Sequence, residues 1–234
     1  MSDPADPVKG QQNGFSEKPG KLTPAMHQFY EAKKQYPDCV IFFRMGDFYE
    51  TFCGDAEICA RELDITLTSR GRMPDGQDIP LAGVPYHAVE TYLSRMITKG
   101  YKVAICEQVE DPKKAKGIVK RAVVRVVTPG TVIDAGLISS ENARYLMAVY
   151  PDLKRRKTGI AYIDISTGDF RFTETGNQDL HETLRSEAAR YHPAECILPA
   201  GTDEDLTGYL EKIIPLVSCQ DPGLFDTQAA VRIL

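Results

Sequence analysis

A chain of 234 residues, 42% of them hydrophobic, is long enough for one large or two ordinary domains with true cores. Its longest apolar runs fall far short of the roughly 20 residues that a bilayer span needs, and its polar start is no signal peptide, so a soluble, cytoplasmic protein without a membrane partner is expected. The net charge of −5 weighs against nucleic acid only until it is divided by region: residues 22–134 hold 15 basic and 15 acidic residues, whereas 135–234 hold 10 and 15.

Residues 1–21 are rich in Pro, Gly, Asp and Gln and are expected to form a disordered tail, because they cannot bury enough surface to offset ordering entropy. Thr23 then offers a cap and Pro24 a first helical residue, with Met26, Phe29, Tyr30 and Tyr36 near helical spacing until Pro37. CVIFF at 39–43 is a buried strand. DAEICARELD predicts a helix capped by Asp55, ITLTS a strand, and RGRMPDGQD a polar loop. IPLAGVPYHAVETYLSRMITKG predicts a constrained Pro-Gly-Pro entry into a helix closed by Gly100. YKVAICEQ and AVVRVVT are strands bracketing KKAKGIVKRAVVR, which carries six basic residues and no acid. That run is either a phosphate-attracting patch or a solvated loop.

TPGTVIDAGLISSEN, at 128–142, has turn residues and little periodicity, and it marks the change of charge; an interdomain linker is expected there. Beyond it ARYLMAVY, TGIAYIDIS and DFRFTET predict three strands, the last two a hairpin. QDLHETLRSEAARY is a helix, ECILP a strand, DEDLTGYLEKII a helix, PLVSC a strand, and FDTQAAVRIL the start of another helix. The order βββαβαβα is that of the ribonuclease H-like fold. The last expected helix runs to the apolar Leu234 without a closing signal, so a fragment of a longer chain is expected.

Chemistry that needs a fixed motif finds little purchase. No G-x-x-x-x-G-K-[ST] loop or G-x-G-x-x-G string occurs, so no ATP hydrolysis is expected of this segment. The six cysteines include no C-x-x-C pair and most sit on apolar runs, so reduced core residues are expected and zinc is not. Asp164 and Asp169 could flank a metal ion on a ribonuclease H-like sheet, but ARYLMAVY supplies no acid to complete the set. His87, expected to open a helix, suits either capping or a phosphate contact, and Arg70 and Arg72 suit either DNA backbone or water.

The unusual stretch is RMGDFYETF, at 44–52. Gly46 and Asp47 are turn formers that let Phe48, Tyr49 and Glu50 project. One reading is a hairpin whose aromatics complete the core. The other is a wedge, since an exposed Phe can enter the minor groove between base steps at a cost of a few kcal/mol, less where pairing is already compromised. A neighbouring carboxylate can accept a hydrogen bond from a base amino group, or donate one if its pKa is raised.

The strings TPAMHQFYEAKKQYPDCVIFFRMGDFYETF, LDITLTSRG, IPLAGVPYHAVETYL, GYKVAICEQVEDP and VVRVVTPGT together resemble the N-terminal portion of the MutS family of DNA mismatch-repair proteins, and GIAYIDISTGDF is similar to the start of that family's connector domain. The resemblance implies an α/β chain: a mixed-sheet mismatch-recognition domain over 22–130, a linker over 131–142, and a ribonuclease H-like connector over 143–234, ending near or short of that domain's own end. The family's Phe-x-Glu motif falls on Phe48 and Glu50, the Phe stacking on one mispaired base and the Glu bonding to it. Met45 and Asp47 fall in the recognition loop, Tyr49 would pack or lean on the backbone, and Arg70 and His87 are further candidate DNA contacts. Implied partners are duplex DNA with mismatches or small loops, a second MutS subunit, and MutL through the connector. No metal or cofactor is implied in this segment; ATP and Mg2+ belong to the family's ATPase region, which the strings do not include.

Overall fold

The computed structural model describes residues 22–73, 76–110, 117–131 and 145–233, so the expected tail at 1–21 lies outside the described residues. Helix α1, Pro24–Gln35, starts as its sequence dictates: Thr23 Oγ1 accepts a hydrogen bond from Met26 N at 3.3 Å, and Pro24 takes the position where a missing N–H costs nothing. Strand β1, Cys39–Met45, turns into β2, Phe48–Phe52, which runs straight into α2, Cys53–Leu63. Then come β3, Thr68–Arg72, β4, Asp78–Pro85, α3, Val89–Thr98, β5, Lys102–Gln108, and β6, Arg121–Val127.

These strands form one mixed sheet in the order β3-β4-β2-β1-β5-β6, with β1 and β5 parallel and the other pairs antiparallel. Alternation along β1 loads both faces. Ile41 and Phe43 join Met26, Phe29 and Phe52 under α1, whereas Val40 and Phe42 join Tyr49, Cys59, Leu93 and Met96 under α2 and α3.

Three expectations are corrected here. Asp55 does not cap α2, which starts two residues earlier; it is drawn into the core, where Oδ2 accepts from Ile41 N at 2.9 Å and Oδ1 pairs with Lys33 Nζ at 2.8 Å. The strand expected at ITLTS begins only at Thr68, so Arg70 and Arg72 stand on a strand rather than in a loop. IPLAGVP is not a helix entry but the body of β4. Its two prolines fit a strand because Pro80 lies beside the register shift between Ser69 and Arg72, and Pro85 is the last residue.

The second sheet is built from β7, Tyr145–Asp152, β8, Lys157–Asp164, β9, Asp169–Gly176, β10, Glu195–Pro199, and β11, Val217–Gln220. Their order is β11-β10-β7-β8-β9, an antiparallel meander extended by two parallel strands, as a ribonuclease H-like sheet requires. Helices α4, Leu180–Tyr191, and α5, Glu204–Leu210, supply Leu184, Ala188, Leu206 and Leu210 to its core; α6, Thr227–Ile233, follows β11.

Part of the segment expected as a linker is seated rather than free. Thr128, Pro129 and Gly130 are buried, and Gly130 N donates to Glu195 Oε2 at 3.3 Å, whose Oε1 accepts from Ser218 Oγ at 3.0 Å. Residues 132–144 lie outside the described residues.

Candidate nucleic-acid interface

The turn between β1 and β2 is made by Gly46, at φ +59°, a left-handed conformation that glycine adopts without steric cost, and by Asp47, whose carbonyl accepts from Tyr86 N at 2.8 Å. Beyond it, strand alternation sends Phe48, Glu50 and Phe52 to one face and Tyr49 and Thr51 to the other. Phe52 is sealed by Phe29, with ring centroids 5.1 Å apart, and by Phe43. Phe48 lies at the strand's start, beyond this packing. It is 47% exposed, paired with Met45 on β1 and Pro85 on β4.

Glu50 is held differently. Its side chain is only 13% exposed; Oε1 lies 3.5 Å from Arg70 Nη1, while Oε2 is enclosed and has no hydrogen-bond partner. Burial pushes its carboxyl above the ordinary range, against the opposing pull of Arg70 and Arg121. Directly across the ladder from Glu50 is Gly83, exposed and without a side chain.

The remaining expected residues divide. Asp47 is exposed at the turn, and His87 is exposed in a 3-10 turn, Tyr86–Ala88, that precedes α3 rather than opening it. Met45 and Tyr49 are both buried. Met45 joins the core under α1. Tyr49 is 3% exposed on the opposite face, its ring against Phe42 and Tyr86 and its hydroxyl donating to the Glu107 carboxylate. Burial and then Glu107 push the Tyr49 hydroxyl pKa well up; of the two expected roles, packing is the one this position shows.

Four residues escaped the sequence reading. Arg44 lays its guanidinium 3.4 Å from the centre of the exposed Tyr86 ring, a cation–π contact at the mouth of the turn. Arg121 belongs to the basic run but turns inward: Nε donates to Arg44 O at 2.6 Å and Nη1 to Val119 O at 2.8 Å. Gly83 and Tyr86 lay hidden in a stretch taken for a helix entry; an apolar residue on either side of Gly83 was the available signal of a strand. Residues 113–116 of the basic run lie outside the described residues.

Asp164 and Asp169 face each other across β8 and β9 but are occupied locally. Asp164 accepts from Ser166 N and Oγ, which hold its carboxyl below the usual range in spite of burial. Asp169 is lowered by the Tyr145 hydroxyl, 2.6 Å away, and by Arg171. Among the described residues no group of three or more His, Cys, Asp or Glu is placed to hold a metal ion, and no helix is long and apolar enough to cross a membrane.

The surface around Phe48 therefore combines an exposed aromatic ring at a strand's start, a carboxylate with an unsatisfied oxygen on the same face, and cationic groups close by. The family model described as MutS domain I matches residues 23–136, and that described as MutS domain II matches 144–230. The DNA mismatch repair protein MutS of Methanosarcina acetivorans is 54% identical over 220 residues, covering 89% of this chain and 24% of that protein. Those of Symbiobacterium thermophilum and Clostridium perfringens are 48% and 46% identical, covering 92% and 86% of this chain and 25% and 22% of theirs. The chain thus spans about a quarter of the length of these relatives.

Proposed function

This chain belongs to the MutS family, and from that premise we propose that it is the mismatch-reading part of a DNA mismatch-repair protein, inserting Phe48 into the minor groove of duplex DNA where a mispair or small loop has weakened stacking. The observation that carries this reading is the split along β2: Phe48 is exposed and Glu50 stands two residues on along the same face, while Tyr49 between them anchors the strand from behind. Unstacking a base step costs a few kcal/mol, and less at a mispair, so a rigid apolar wedge senses weakness rather than sequence.

Glu50 supplies the polar half. The same burial that leaves one oxygen without a partner raises the carboxyl's pKa, so a displaced base edge meets either an acceptor in need of a donor or, when protonated, a donor. Asp47, Arg70 and His87 border the wedge as candidate contacts, Arg70 toward the phosphates. Residues 22–130 serve as the recognition domain and 143–234 as the connector. A second MutS subunit and MutL, the latter through the second sheet, are the proposed protein partners; ATP and Mg2+ act at an ATPase region outside this stretch.

The test is a chimera in which this chain replaces the matching quarter of the Methanosarcina acetivorans relative. With Phe48→Ala, its preference for G·T or unpaired-T duplex over homoduplex is expected to vanish while its melting temperature stays the same. Unchanged discrimination would refute the wedge.

A further inference from the structure

Gly83 has no structural reason to be glycine. It lies in the interior of β4, between β3 and β2, where a glycine weakens a strand by about 0.5–1 kcal/mol relative to alanine. Its φ is not in the left-handed region, and β2 and β4 pair without interruption from Phe48↔Pro85 to Phe52↔Leu81, so it makes neither a turn nor a bulge. Nor is it crowded: a Cβ built there would meet Tyr49 O at 3.5 Å, Glu50 Cγ at 3.8 Å and Phe48 Cδ1 at 3.9 Å, all ordinary contacts. Gly130 shows what crowding looks like, with its Cβ position 2.8 Å from Glu195 Cβ.

The same three atoms locate what the missing side chain leaves open. The space over Gly83 lies between Phe48 and Glu50, on the exposed face, beside the Glu50 carboxylate whose Oε2 has no hydrogen-bond partner. A glycine that the fold does not demand, set in a strand, marks a place where something from outside comes close to the backbone. Resting on the proposed wedge reading, we propose that Gly83 is a specificity-determining residue: its bare backbone is the floor over which the sugar and base edge of the displaced nucleotide lie, between the Phe48 ring and the Glu50 carboxylate.

Gly83→Ala and Gly83→Val in the same chimera test this. Gly83→Ala is expected to melt at or above the unsubstituted protein, since it gains strand propensity without a clash, and it is the variant on which melting is read. The ratio of mismatched to homoduplex affinity is expected to fall roughly tenfold for Ala, as a methyl overfills a fitted surface, and further for Val. A ratio unchanged in both variants overturns the proposal, and so does a fall in melting temperature, which would make the glycine structural. Phe48→Ala, run alongside, separates the two levels. If it abolishes discrimination while the Gly83 variants keep theirs, the floor alone is wrong; if it leaves discrimination intact, the wedge and the floor fall together.

Discussion

Arg70 reaches Glu50 from two strands away: the guanidinium on β3 comes within 3.5 Å of the carboxylate on β2, passing over β4. A sheet spaces neighbouring strands by about 4.8 Å, so the reach takes most of an arginine's length. The pairing is therefore a property of the assembled sheet. It leaves Glu50 with a partial counter-charge on one oxygen and nothing on the other.

Burial of Glu50, opposed by Arg70 and Arg121, sets a pH signature. Because the folded-state pKa of Glu50 lies above its ordinary value of 4.5, the folded protein holds a proton that the unfolded chain would release. Stability linked to Glu50 is thus greatest below that value and declines as pH rises through the raised pKa. Glu50→Gln, which keeps the shape without the charge, is expected to melt at or above the parent at pH 7, with the gain shrinking as pH falls toward 4.5. Thermal melts across pH 4–8 check this; a gain that grew toward acid would reverse the sign and reject the account.

On DNA the same substitution is expected to change which duplexes are preferred more than how tightly any duplex is held. Phosphate contacts govern overall affinity and base-edge contacts govern choice. Titrations of the chimera against matched and mismatched duplexes measure the two separately, and an equal loss on both would place Glu50 against the backbone instead.

Tyr49 is expected to matter for folding and not for reading. Tyr49→Phe removes the hydroxyl that donates to Glu107 and costs about 1–2 kcal/mol. The melting temperature should fall by several degrees, roughly 2–4 °C per kcal/mol in a protein of this size. Mismatch preference should survive. A variant that melts normally but loses preference would return Tyr49 to the DNA surface.

At the seat of the Thr128–Gly130 turn, Gly130→Ala puts a methyl 2.8 Å from Glu195 Cβ and 3.1 Å from Leu146 Cδ1. Overpacking of this kind costs about 1–3 kcal/mol. Faster amide exchange at Gly130 and around Glu195, with β1 to β5 unaffected, is the expected readout. Unaltered exchange would show that the seat yields without cost.

Much of this was legible in the chain. Thr23 and Pro24 announce α1 because capping is local, and the β8–β9 hairpin is visible because its turn and alternation are adjacent in sequence. What escaped depended on distant partners. Asp55 looked like a cap because acids favour helix starts, but a buried amide at Ile41 and the Lys33 ammonium claim it from other elements. β4 is concealed by Pro80, Gly83 and Pro85, residues that argue against a strand unless the neighbouring register is known. At the candidate site, the motif left Phe48 open between core and surface, and its exposure, the burial of Met45 and Tyr49 and the reach of Arg70 all required the sheet order.

The backbone of Phe48 is ordered in the sheet before any partner arrives, in register with Met45 on one side and Pro85 on the other and just past the Gly46–Asp47 turn. Its ordering entropy is spent during folding, so an encounter with a duplex waits on no loop rearrangement. On the proposed reading, matched and mismatched duplexes should be captured at similar rates, and selectivity should reside in residence time: the complex at a mispair persists, while the one on sound DNA dissolves.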